Sequence, residues 1–242
     1  VPTLFISIAC GAISGFHATQ SPLMTRCMNN EREARPIFFG AMISESVVAL
    51  IWAAIAMAFF GGVEQLNDFM AANNSNAGVA VSLISDTTLG AIGGILAILG
   101  VVVAPITSGD TAFRSARLII ADMLHYDQKP KYKRLIVSMP LFAIGIGIAF
   151  VDFDIIWRYF AWSNQALSVI TLWMITAWLM RRGSRWSIIA LLPAIFMTYV
   201  CSSFVFVSSQ FVGMGATPEA YIYGGAVTAV IAGLLMTNIR KD

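Results

Sequence analysis

Three polar groups and one acid interrupt otherwise apolar stretches of this chain. The first group lies in VPTLFISIACGAISGFHATQSPLMT, residues 1–25, where Gly11, Ser14, Gly15 and His17 break an apolar run. Glycine lowers helix propensity and serine bonds to nearby backbone, so the centre of this segment can leave the helix and offer carbonyls and amides to a ligand. Histidine is the side chain that can titrate near neutral pH, which would suit His17 to carrying a proton, while an imidazole bonded to a carbonyl is equally ordinary. The second group is Ala104-Pro105-Ile106-Thr107-Ser108-Gly109-Asp110-Thr111. Proline removes a helix hydrogen bond there, and Thr107, Ser108, Asp110 and Thr111 supply oxygens of the kind hard cations take. The plainer reading is the end of a helix, with Asp110 paired to Arg114. The third group opens another apolar run with Trp157-Arg158-Tyr159-Phe160-Ala161-Trp162-Ser163-Asn164-Gln165. Its aromatics suit a membrane interface, and its two amides must bond across to another helix or line a cavity. Glu45, the lone acid, is a partner for His17 or a buried structural carboxylate. Ionisable groups inside apolar spans are costly and therefore functional candidates, and irregular backbone at membrane depth is where transporters bind solutes.

The elements that must position these groups follow from composition. With 58% hydrophobic residues, 12% charged and a mean hydropathy of +0.77, the 242 residues are too apolar for one soluble core. An all-α integral membrane protein is expected, with seven spans of roughly 20 residues or more: 2–24, 37–60, 88–124, 135–151, 157–180, 186–207 and 219–238. The first reads as a broken helix, and the last two, without intramembrane charge, as peripheral. Cys10 and Cys201 sit in apolar runs and Cys27 near a basic loop, which reads as free thiols. The chain starts on Val1, from which a fragment or processed product is expected.

Lysine and arginine orient the set, because cytoplasmic loops near helix ends carry their excess. Fourteen of the fifteen basic residues lie on alternate connections and at the C-terminus, leaving Arg158 on the other side. The C-terminus is thereby placed in the cytoplasm and the first span enters from outside. The small net charge of +2 gives no case for nucleic acid. The outer connection 61–87 has no basic residue and two short apolar patches, which predicts a short helical lid.

The strings FISIACGAISGFHATQSP, GAMISESVVAL, ITSGDTAFRSARLIIADML and WRYFAWSNQAL resemble, in order and spacing, the carbon starvation protein A family. The resemblance covers most of the chain. It implies an inner-membrane transporter, not an enzyme, taking up peptides or a small carboxylate such as pyruvate with protons. The family is also similar to the amino acid–polyamine–cation superfamily, built from two inverted five-helix repeats. On that similarity residues 1–180 are the second repeat, 61–87 its outer lid and 181–242 two accessory helices. The first repeat, in a missing N-terminal half, becomes a required partner beside the lipid bilayer and the substrate.

Gly11, Ser14, Gly15, His17, Gln20, Asn164 and Gln165 are then expected to face the substrate. His17, Glu45, Thr107, Ser108, Asp110 and Thr111 are the candidates for ion or proton coupling. Where longer members carry a Ser-Gly-Thr-Thr-like run, this chain has Ala18-Thr19-Gln20-Ser21-Pro22, so contacts there differ. No cofactor or metal is expected. A sodium-coupled transporter of the same fold is the alternative, and a haem or quinone subunit another. The second histidine, His125, lies in a basic loop, which counts against paired haem ligands. An intramembrane hydrolase is weaker still, because no nucleophile and base share a recognisable spacing.

Overall fold

The computed structural model describes residues 4–6, 15–73, 76–151 and 153–241, and among these there is no strand. The helices are α1 (Gly15–Cys27), α2 (Ala41–Phe60), α3 (Val63–Ala72), α4 (Ala77–Met123), α5 (Lys131–Ala149), α6 (Phe153–Arg181), α7 (Ser187–Val207) and α8 (Pro218–Lys241). A 3-10 turn at Glu31–Glu33 and a wide π turn at Arg35–Gly40 lead into α2. By length and apolarity five stretches among the described residues can cross a membrane: Glu31–Phe60, α4, α5, α7 and Pro218–Ile239. Seven spans were expected, and the difference falls on the first and fifth. Much of span 2–24 lies outside the described residues. The fifth is a helix of 29 residues, about 43 Å long at 1.5 Å per residue; its buried polar stripe lowers its hydropathy.

The chain divides into two compact units, Val1–Cys27 with Ala143–Asp242, and Met28–Phe142. In the first, α1 packs on α6, α6 on α7 and α7 on α8. The core joins Ile6, Ala161, Val200, Cys201 and Phe204, with Phe5, Trp162, Val169 and Phe211 against them. Small residues allow the close approach: a Cβ added at Gly224 would stand 2.7 Å from the Ser203 Cα, as expected where helices associate through Gly, Ala and Ser faces. Indole donors bond across the same seam, Trp162 Nε1 to the Cys201 carbonyl at 3.2 Å and Trp173 Nε1 to Thr198 Oγ1 at 3.0 Å. α7 is therefore not peripheral, as its lack of charge suggested, but carries much of this core. Absence of charge marks a helix with no polar task and says nothing about how many neighbours it has. This grouping joins α7 and α8 to α1 and α6.

In the second unit the connection 61–87 is helical. Gly61, at φ +86°, ends α2 in the left-handed conformation that glycine adopts without strain, and α3 folds back with Phe60 and Phe69 ring centroids 4.5 Å apart. The Asn76 side chain accepts from Gly78 N at 3.0 Å and caps α4. α4 then breaks at Gly90, φ +66° and ψ −175°, a conformation closed to side-chain-bearing residues. The Asp86 carboxylate lies over Gly94, where a Cβ would overlap it. An anion at the first turn of the segment beyond the break is favoured by the unpaired amides and the helix dipole. The segment from 91 to 123 is about 50 Å long, more than the roughly 30 Å hydrocarbon layer, so α4 extends past the apolar zone at one end.

Candidate functional site

The segment around residue 6, α1 and α6 bring polar atoms together inside an apolar unit. Gly15 is buried, and a Cβ there would overlap the Asn164 carbonyl oxygen and stand 2.7 Å from Leu167 Cβ. No other residue fits at that crossing. The glycine expected to open the backbone to a ligand thus admits α6 to close contact. Along α6 the face toward this crossing is polar: Asn164 is 8% exposed, Gln165 0% and Ser168 2%. Gln165 Nε2 donates to the Ile6 carbonyl at 3.4 Å, and Ser168 Oγ donates to the Gln165 carbonyl at 2.7 Å and Gln165 Oε1 at 3.3 Å. One of the two expected uses of these amides, bonding across to the first segment, is realised by Gln165. Ser168 was missed, although its i+3 spacing from Gln165 places it on the same helix face.

Gln20, one turn and a half along α1 from Gly15, is half-buried, and its Nε2 is a buried donor with no partner among the described residues. Buried polar atoms are nearly always bonded, and an unmet amide costs on the order of 1–3 kcal/mol. Such a donor suits a carbonyl or carboxylate oxygen of a solute. Gly11 and Ser14, and with them the expected break, lie outside the described residues. His17 is helical, in the first turn of α1.

The coupling candidates of the second unit have different surroundings. Pro105 does not unwind α4, which is helical through it. The helix break falls fifteen residues earlier, at Gly90. Thr107 and Ser108 are exposed, and Thr111 Oγ1 donates to the Thr107 carbonyl at 2.9 Å, an ordinary bond back to the preceding helical turn. Asp110 pairs with Arg114 at 2.6 Å, both side chains more than half exposed. The pairing is that of the plainer reading, although the helix does not end here but runs on to Met123. Glu45 is exposed on α2, a helix with no buried residue, rather than buried. His125 is exposed in the turn after α4. Cys27 and Cys201 are free thiols.

The chain matches the family described as carbon starvation protein CstA over residues 1–89 and 71–203. An uncharacterized protein of Haemophilus influenzae is 51% identical over 115 residues, 47% of this chain and 82% of that protein. The pyruvate/proton symporter BtsT of Escherichia coli is 41% identical over 83 residues, covering 34% of this chain and 11% of the symporter. The peptide transporter CstA of Helicobacter pylori is 28% identical over 261 aligned residues, 80% of this chain and 37% of the transporter. The chain therefore spans less than half the length of the named transporters it matches. No solved structure matches it.

Proposed function

This chain belongs to the carbon starvation protein CstA family, a family of membrane transporters rather than enzymes, and on that premise we propose that it forms part of a proton-coupled importer of peptides or small carboxylates such as pyruvate. Residues 1–180 act as the second of two inverted repeats, 61–87 as the outer lid and 181–242 as accessory helices. The first repeat comes from an N-terminal half. The protein sits in the bacterial inner membrane with its C-terminus in the cytoplasm. Gly11, Ser14, Gly15, His17, Gln20, Asn164 and Gln165 face the solute.

The observation that carries this reading is the buried donor of Gln20 on α1, without a partner among the described residues, in the same unit as the polar face that α6 buries. A peptide carbonyl or a carboxylate accepts from such an amide, and a donor made to wait in an apolar unit repels solutes that lack an acceptor. Coupling falls to His17, because Asp110 is held by Arg114. Glu45, Thr107 and Ser108 take secondary places in the coupling path. Rocking of this repeat against its counterpart gives alternating access.

In the complete transporter, Gln20→Leu raises the KM for uptake about tenfold with insertion into the membrane unchanged, as expected for one lost hydrogen bond of about 1.4 kcal/mol. His17→Gln loses accumulation against a gradient while keeping substrate exchange. Accumulation by His17→Gln that still collapses with a protonophore overturns the role given to His17. An unchanged KM in Gln20→Leu removes Gln20 from the solute path.

A further inference from the structure

In the second unit, the far part of α4 and the start of α5 enclose a cleft of about 470 Å³. Arg114 and Arg117 line it from α4, and Arg134 and Ser138 from α5. Asp110 is the acid in the lining, and Arg114 already neutralises it at 2.6 Å. Two arginines remain. Arg134 Nε donates to the Gln128 carbonyl at 2.6 Å, which anchors that guanidinium and leaves its terminal nitrogens for a further acceptor. Arg117 is half-buried, and its Nε is a buried donor with no partner among the described residues. A guanidinium nitrogen taken from water without an acceptor is unfavourable, and a bidentate oxyanion is the group whose geometry relieves it.

The surroundings indicate where that oxyanion comes from. The rings of Phe113 and Phe142 stack beside the arginines with centroids 4.7 Å apart. Val101, Val102, Val103 and Ile106 are exposed just before Asp110, and Leu135, Ile136 and Met139 are exposed along α5. An apolar, uncovered surface thus changes to a basic cleft within about two helical turns. That is the profile of the boundary between acyl chains and headgroups, and basic pockets between membrane helices bind anionic headgroups there.

We propose that the cleft between α4 and α5 binds the phosphate of an anionic phospholipid, with Arg117 and Arg134 as its ligands and the apolar flanks of both helices against its acyl chains. The proposal rests on the membrane reading of these helices and on no assignment of the transported solute. The intact protein, purified in detergent and titrated with phosphatidylglycerol or phosphatidylcholine under native mass spectrometry, tests it. Phosphatidylglycerol is retained about tenfold more tightly than phosphatidylcholine. The double variant R117Q/R134Q loses that preference. R182Q, which removes a cation stacked on Trp178 in the other unit, keeps it. Thermal unfolding run in parallel establishes that the variants fold. Should R117Q/R134Q fail to fold, R117K/R134K decides: a point charge in place of a planar fork weakens retention about two- to fivefold, and unchanged retention overturns the site. Equal retention of both lipids, or of phosphatidylglycerol by R117Q/R134Q, also overturns it. Displacement of the lipid by low-millimolar inorganic phosphate assigns the cleft to a soluble anion instead and overturns the lipid. Uptake is not measured in these experiments, so their failure leaves the transport reading standing, and the reverse.

Discussion

Helices α2 and α7 have nearly the same length and are both predominantly apolar, yet their environments are opposite. α7 buries Ala190, Ala194, Met197, Thr198, Val200, Cys201, Ser203 and Phe204, whereas α2 has no buried residue. The first unit packs helix on helix with small residues at the crossings and with polar atoms such as Trp173 Nε1 and Gln165 Nε2 bonded across them. The second exposes Ile43, Val47, Val48, Leu50 and Ile51 on α2 and a comparable set on α4. An all-round apolar helix left uncovered by its own chain is stable only in a solvent of its own polarity. The first unit is thus held by its own contacts, and the second presents its apolar surface to lipid or to other transporter helices.

A pair of equivalent truncations separates the two units most strongly. Met197→Ala, in the core of the first unit at 2% exposure, costs about 2–5 kcal/mol of unfolding free energy, whereas Ile51→Ala, 52% exposed on α2, costs under about 0.5 kcal/mol. Reversible denaturation in mixed micelles measures both, and equal losses would mean that α2 is packed against protein after all. Gly15→Leu follows at about 1–3 kcal/mol or more, because the side chain must displace the Asn164 backbone rather than a flexible neighbour. The same denaturation reports it, and a mild effect would show that α1 does not seat on α6.

Gln165→Leu removes the amide that donates to the Ile6 carbonyl, for about 1–3 kcal/mol, while Ser168 keeps its bond to the backbone carbonyl of residue 165. Faster amide hydrogen exchange in α1 distinguishes this local loosening from a general loss of stability. The smallest effect belongs to the second unit. Asp110→Asn removes an exposed i,i+4 ion pair worth under about 0.5 kcal/mol at ordinary salt, and a loss several times larger would place Asp110 in a buried site.

Parts of the fold were legible residue by residue. The span expected at 186–207 is α7 at Ser187–Val207, and that at 219–238 lies within α8. Uninterrupted apolar runs between charged or glycine-rich ends admit one reading. The helical character of 61–87 was legible from its paired apolar patches, and the break at Gly90 was not, since four glycines lie between 90 and 100 and their spacing does not say which one bends. At the candidate site, Asn164 and Gln165 were found because amides inside a span must bond to something. Gln20 was named as solute-facing and Arg117 was not, and in neither case was the unmet donor legible, because a sequence records that a donor exists and not whether an acceptor reaches it.

The class, the family and five of the seven expected spans were readable from the sequence, since each depends on composition or on the order of residues along the chain. Which apolar faces meet protein is settled only by packing. Hydropathy measures aversion to water, and inside a membrane lipid and protein offer the same refuge from it, so α2 and α7 read alike until packing separates them. What separates them is local shape and pairing: the glycine at 224 against Ser203, the indole of Trp173 on Thr198, and the amide of Gln165 on the Ile6 carbonyl.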